Sequence, residues 1–238
     1  MTCRLLPSLA FAFALALLSL AVAEAVTQKR EDDYVRAQAR EALRDAPASD
    51  PGARLLALRD YVRARVHNID FPARGRPFLR DTTADILRNG KGRCGEATRA
   101  FVNLARESGI DAQRLYLDGL RLHVLALVRT GDGRTLVVDP YDKPYVPEVE
   151  PLEGLLDRHG FASYSTLGFR RMWPLRSLPS NEFNLGPFNY LLENPHALTS
   201  LLWLAASALA LTLAEVLRRR TRRTPARNFN KELSATAA

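Results

Sequence analysis

Cys94 lies in the run Gly90-Lys91-Gly92-Arg93-Cys94-Gly95-Glu96-Ala97-Thr98, His123 in Leu122-His123-Val124, and Asp139 in Val137-Val138-Asp139-Pro140. A thiol, an imidazole and a carboxylate are the parts of nucleophilic catalysis. The thiolate attacks a carbonyl, the imidazole moves the proton, and the carboxylate orients the imidazole. The chain has two cysteines, and Cys3 falls in an apolar N-terminal run. A body with one thiol forms no internal disulfide. In an oxidising compartment a lone thiol is a liability, so its presence points to use. The plain reading of such a residue is a small buried hydrophobe, and only its neighbours argue otherwise.

The elements around these residues are legible in the spacing. Residues 94–107 read as a helix with Ala97, Phe101, Leu104 and Ala105 inward, closed by Ser108-Gly109. Cys94 then stands at a helix N-terminus. The outward amides and the macrodipole there favour thiolate and can donate to an oxyanion. Asp50 and Pro51 suit the N-cap and first position of an earlier helix through Asn68, in which Leu55, Leu56, Leu58, Tyr61, Val62 and Val66 form a core stripe. Asp81 or Thr82 can cap a short helix that buries Ile86 and Leu87 and ends at Asn89-Gly90. Strands are expected over 113–118, 120–130 and 134–139, the last two joined at Gly131-Asp132-Gly133. That hairpin places His123 and Asp139 directly opposite or diagonal on one face, roughly 5–8 Å apart at Cβ. It does not by itself bring Cys94 to His123.

Together these contexts resemble the transglutaminase-like superfamily. Its core has a cysteine at the start of a helix, then a histidine and an aspartate on successive antiparallel strands. The matching runs are Ala84-Asp85-Ile86-Leu87-Arg88-Asn89-Gly90 leading to Cys94-Gly95-Glu96-Ala97, the helix ending Leu104-Ala105-Arg106-Glu107-Ser108-Gly109, and the His123 and Asp139 contexts. The upstream Tyr61-Val62-Arg63-Ala64-Arg65-Val66 looks like the helix before the family's core. The resemblance covers about residues 50–145 and implies an α+β, papain-like core. It also implies acyl transfer through a thioester, with Cys94 as nucleophile, His123 as general base and acid, and Asp139 as orienting group. Either water or an amine can resolve the thioester. No metal or cofactor signature accompanies the site, and His67, His159 and His196 stand in ordinary surface or loop contexts and read as structural.

The ends place the body. Residues 5–23 are almost wholly apolar after Arg4, with Ala21-Val22-Ala23 a small-x-small cleavage pattern. Residues 1–23 therefore read as a signal peptide, or as an uncleaved N-terminal anchor. A second apolar run, 197–217, is long enough to cross a bilayer. It is followed at once by Arg218-Arg219-Arg220-Thr221-Arg222-Arg223, the mark of a cytoplasmic end. Most of the net charge of +8 lies in this Arg-rich tail, 218–238. The nearly neutral body argues against nucleic acid as a partner. Either fate of the N-terminus puts residues 27–193 outside the cytoplasm. Thirty arginines against four lysines fit a GC-rich bacterial genome, hence an inner-membrane protein with a periplasmic domain.

Within that domain, residues 27–45 read as a solvent-facing helix or spacer above the membrane. Residues 141–151 read as an extended loop, and 152–158 as a short helix. Residues 161–190 read as irregular and rich in large side chains, capping the core, resting at the lipid interface, or lining a substrate groove. The expected protein is a membrane-anchored enzyme acting on a peptide, protein or cell-envelope substrate, with the lipid bilayer as its other partner. The alternative is a non-catalytic scaffold in envelope assembly.

Overall fold

The Asp50 side chain accepts from Ala53 N at 3.0 Å and Pro51 takes the first helical position, which starts helix α2 (Pro51–Arg65) where the sequence places it. In the computed structural model, which describes residues 2–69, 81–168 and 180–236, the chain divides into two compact units. One is Met1–Gln28 with His196–Ala238, and the other is Lys29–Pro195.

The Lys29–Pro195 unit carries the α+β core. After α2 come α3 (Thr83–Asn89) and α4 (Cys94–Glu107), then strands β1 (Asp111–Gly119), β2 (His123–Arg129) and β3 (Thr135–Val138). Beyond these lie β4 (Glu150–Pro151), α5 (Leu155–His159), β5 (Phe161–Ser165) and α6 (Pro187–Glu193). The strands form one antiparallel sheet in the order β4-β3-β2-β1-β5. Both faces are buried. Ala112, Ala126, Val128 and Val138 meet α2, α3 and α4, including Leu58, Val62, Ile86, Ala97, Ala100 and Phe101. Leu115, Leu117, Leu125, Leu127 and Val137 meet Val146, Leu152 and Leu155 on the other side. The small side chains Ala97, Ala100 and Ala105 let the α4 backbone approach the sheet closely, so that its N-terminus arrives at the end where β2 begins and β3 finishes.

Local chemistry sets the boundaries. Thr82, rather than Asp81, caps α3 by accepting from Asp85 N, and Asp85 accepts in return from Thr82 N. Gly90 ends that helix in the left-handed region at φ 64°. The β2–β3 loop is a three-residue turn in which Gly133, at φ 84°, supplies the left-handed residue. Pairing of Ala126 with Val138 and Leu127 with Val137 sets His123 and Asp139 diagonal rather than directly opposite.

Four expectations need correction. Residues 29–42 are not a solvent-facing spacer. They continue a single helix α1 (Thr2–Ala42), and Val35 and Ala39 are buried in the core with Tyr34 and Ala42 against them. The stripe is sparse because small alanines do the packing. Leu56, assigned to the α2 stripe, is partly exposed. The segment 161–190 is not wholly irregular: β5 pairs with β1, and α6 docks through Glu193 and Asn194. Phe161 and Tyr164 do pack on the second core cluster, while Phe169, Met172, Trp173 and the Arg170-Arg171 pair lie outside the described residues. His196 is no ordinary loop histidine; it is buried and paired with Glu24.

The other unit holds the N-terminal part of α1 and nearly all of α7 (Pro195–Thr236), and the helical stretches Ser8–Ala42 and Pro195–Arg219 each contain an apolar window long enough to cross a membrane. Ser200 Oγ donates to Ala21 O at 2.9 Å and Ser207 Oγ to Ala14 O at 2.8 Å, with Ala14, Leu17 and Ala21 buried.

A Cβ at Gly92 would lie 2.8 Å from Glu96 Cβ and 3.0 Å from Val66 Cγ1. Gly92→Ala should therefore lower the unfolding free energy of the core by about 1–3 kcal/mol, read by chemical denaturation. Gly131→Ala, whose Cβ would meet nothing within 4 Å, should change it by less than about 0.5 kcal/mol.

Candidate active site

Cys94 is the first residue of α4, and the loop before it is tied down by backbone alone. His67 N donates to Gly90 O and Gly92 N donates to His67 O, each at 3.0 Å. This ladder joins the loop to the end of α2, and the close approach admits only glycine at position 92. Glu96 Oε2 accepts from Arg93 N at 3.0 Å, which closes the first turn. The first helical bond is Ala97 N to Arg93 O, so the amides of Cys94, Gly95 and Glu96 are directed out of the helix end. They are the candidate oxyanion donors. The Cys94 thiol is partly exposed and in no disulfide.

His123 opens β2 and Asp139 follows β3. His123 Nε2 and Asp139 Oδ2 are 2.7 Å apart and both side chains are essentially sealed from solvent. The carboxylate has further partners: Tyr141 N donates to Oδ1 at 3.1 Å, and Tyr145 N and Val146 N donate to Oδ2 at 2.9 and 3.3 Å. The Asp139 carbonyl accepts from Arg63 Nε and Nη2 at 3.1 and 2.7 Å, and Arg63 Nη2 also reaches Pro147 O at 3.1 Å. A helix thus clamps the loop that cradles the carboxylate.

Cys94 acts on the same imidazole, and interaction with it is among the causes that raise His123. With Nε2 committed to Asp139, Nδ1 is the ring nitrogen left for the thiol. Burial alone would discharge the imidazole. The hydrogen bond to Asp139, the interaction with Cys94 and the negative charges of both outweigh it and push His123 up to about 9. Thr98 Oγ1 donates to Val124 O at 3.0 Å, one helical turn beyond Cys94 and one residue beyond His123, and so locks the two elements in register. The Tyr145 ring stands edge-on to the imidazole at 4.7 Å. Burial, and then the charges of Asp142 and Cys94, push the Tyr141 phenol up to about 12, so it is a neutral hydroxyl beside the thiol at pH 7.

The three residues singled out by sequence therefore lie at one end of the sheet, with His123 bonded to Asp139 and acted on by Cys94. Sequence reasoning missed Arg63, Thr98, Tyr141 and Tyr145. Thr98 sits at the helical offset of four from Cys94, a usable signal. Arg63 meets its partners across 76 residues, a separation no local pattern reveals. Among the described residues, no group of three or more His, Cys, Asp or Glu side chains is placed to hold a metal ion.

The sequence profile of the transglutaminase-like superfamily matches residues 36–119. Over those residues the chain is similar to the transglutaminase-like superfamily. The matched stretch holds Cys94, Arg63 and Thr98 and begins earlier than the resemblance drawn from the motifs, taking in the buried Ala39. It ends before His123 and Asp139. Among solved structures, a protein of Cytophaga hutchinsonii provisionally named a cysteine protease is similar. It shows 16% identity and a TM-score of 0.40, with 47% of this chain and 38% of that one covered. The chain thus spans about two fifths of that protein's length. No curated protein matches the chain.

The His123 resonance should titrate near pH 9 by NMR, and Asp139→Asn should move it down toward the unperturbed value of about 6.5. The sign follows from proton binding. The folded state keeps a proton that the unfolded chain releases near 6.5, so the stability contributed by His123 is complete below that pH and is lost as pH rises through 9.

Proposed function

We propose that this chain is a membrane-anchored, extracytoplasmic cysteine enzyme that acts on amide bonds by acyl transfer. The observation that carries this reading is the buried His123–Asp139 pair beside the helix that begins at Cys94, whose thiol acts on the same imidazole. Cys94 Sγ, as thiolate, attacks the carbonyl carbon, and the oxyanion is met by amides at the α4 N-terminus. His123 donates its proton to the departing amine as the C–N bond breaks, leaving a thioester on Cys94. Water or an amine then adds to the thioester, His123 takes the proton, and the thiolate departs. Asp139 holds the ring and balances its charge throughout.

The anchor in this reading is the pair of apolar helices. Contacts from Ser200 and Ser207 to the backbone of Ala21 and Ala14 favour an N-terminal helix that is retained as a second span rather than cleaved as a signal peptide. Both ends are then cytoplasmic, in keeping with the arginines after residue 217, and the core is periplasmic at the inner membrane.

Two experiments test this. Acid-quenched mass spectrometry after incubation with a peptide pool should find an acyl adduct on Cys94, and Cys94→Ala should lower turnover by about 10³-fold or more. Full activity or full biological function in Cys94→Ala would defeat the catalytic reading in favour of a scaffold. The intact mass of the membrane-extracted protein should retain residues before Glu24; a mature chain starting at Glu24 would defeat the two-span reading.

A further inference from the structure

Exposed cations crowd the mouth of the candidate site. Lys91 and Arg93 stand in the loop that leads into Cys94, Arg121 in the turn that leads into His123, and Lys143 in the loop that cradles Asp139. The Arg121 guanidinium lies 5.6 Å above the Tyr145 ring, and that ring is 4.7 Å from the imidazole. Elsewhere on the core some exposed arginines have carboxylate partners, Arg36 with Glu107, Arg65 with Glu41, Arg134 with Asp132 and Arg158 with Glu150, while Arg40 reaches a backbone carbonyl and Arg88 lies over the Tyr34 ring. Lys91, Arg121 and Lys143 form no ion pair with a described residue. The nearby carboxylates turn inward instead, Glu96 to Arg93 N, Asp142 to Asn68 N and Asp139 to the imidazole.

Such a rim in a body of little net charge concentrates positive potential where the acyl donor must approach. One exposed charge is worth little, and it is the summed field of the rim that would act on a charged substrate. Apolar surface is interleaved with the charge: Leu120 is fully exposed and Leu122 is 55% exposed, on either side of Arg121. Side chains that pair a cation with an apolar neighbour match a peptide in which acidic residues alternate with apolar ones.

We infer that the acyl donor is an acidic polypeptide segment, its carboxylates held by Lys91, Arg121 and Lys143 while its amide carbonyl meets Cys94. This rests on the catalytic reading above, and the test separates the two. The full chain in phosphatidylcholine nanodiscs is alkylated at Cys94 by neutral iodoacetamide, alone or with a synthetic peptide of four glutamates, a leucine and a glutamine, or with its lysine counterpart. The acidic peptide should slow alkylation about fivefold or more at low salt and lose that effect at about 0.5 M NaCl, while the lysine peptide should not protect. The variant combining Lys91→Gln, Arg121→Gln and Lys143→Gln, compared with its own rate without peptide, should lose the protection. If that variant fails to fold, Arg121→Gln alone, on an exposed turn, should weaken it. Equal protection by both peptides, undiminished protection in the variant, or protection by polygalacturonate but not by the acidic peptide would overturn the inference and leave the catalytic reading standing. A thiol unreactive toward iodoacetamide would overturn both.

Discussion

A carboxylate sealed from water is the constraint on which the rest of this core depends. Removing an unpaired carboxylate from water costs several kcal/mol, and Asp139 has no exposure at all. Its burial is tolerable because three backbone amides and one imidazole converge on it. Those amides belong to residues 141, 145 and 146, so satisfying the carboxylate dictates the path of the loop after β3. That path delivers the Tyr145 ring to the edge of His123 and Val146 to the second core cluster. Arg63 closes the arrangement from behind by taking the Asp139 and Pro147 carbonyls. An orienting aspartate, a loop shape and a helix-to-sheet contact are thus one device.

The thiol is brought to this device by packing. Alanines at 97, 100 and 105 are buried without residual exposure and bring α4 near the sheet. The Thr98 hydroxyl then selects one register by bonding to the carbonyl next to His123. At the other end of the same turn, the two-way backbone ladder between His67 and the 90–92 loop holds the entry to α4. Proton transfer between thiol and imidazole needs hydrogen-bond reach, and three independent attachments fix that distance. The chemistry is in two side chains; the geometry is in Thr98, Gly92 and the alanines.

Much of this was legible in the sequence because it is local. The limits of α4, the caps at Asp50 and Thr82, the glycine at 90 and the hairpin at 131–133 each follow from residues within four positions of one another. The sequence left His123 and Asp139 directly opposite or diagonal, a choice that the register of Ala126 with Val138 makes, and the thiol, imidazole and carboxylate were named from their contexts. What escaped was long-range or carried by small residues. The 29–42 segment packs through alanine, Val35 and one tyrosine, too weak a stripe to separate core from spacer. Strand β5 is five residues at a sheet edge, and its pairing shifts register at Asp118/Gly119, so no clean alternation marks it. Half-buried Arg63 and buried Glu193 are charged residues whose partners, among them the Asp139 carbonyl and Arg114, lie 76 and 79 positions away.

The central claim is that Cys94 and His123 form one activated pair, held by Asp139. The rate of Cys94 alkylation against pH, in the wild-type chain and in His123→Ala, tests it most directly. An inflection well below the roughly 8.5 of a free thiol in the wild type, and its return toward 8.5 in the variant, is the predicted result. An unreactive thiol, or the same inflection near 8.5 in both proteins, would contradict the account.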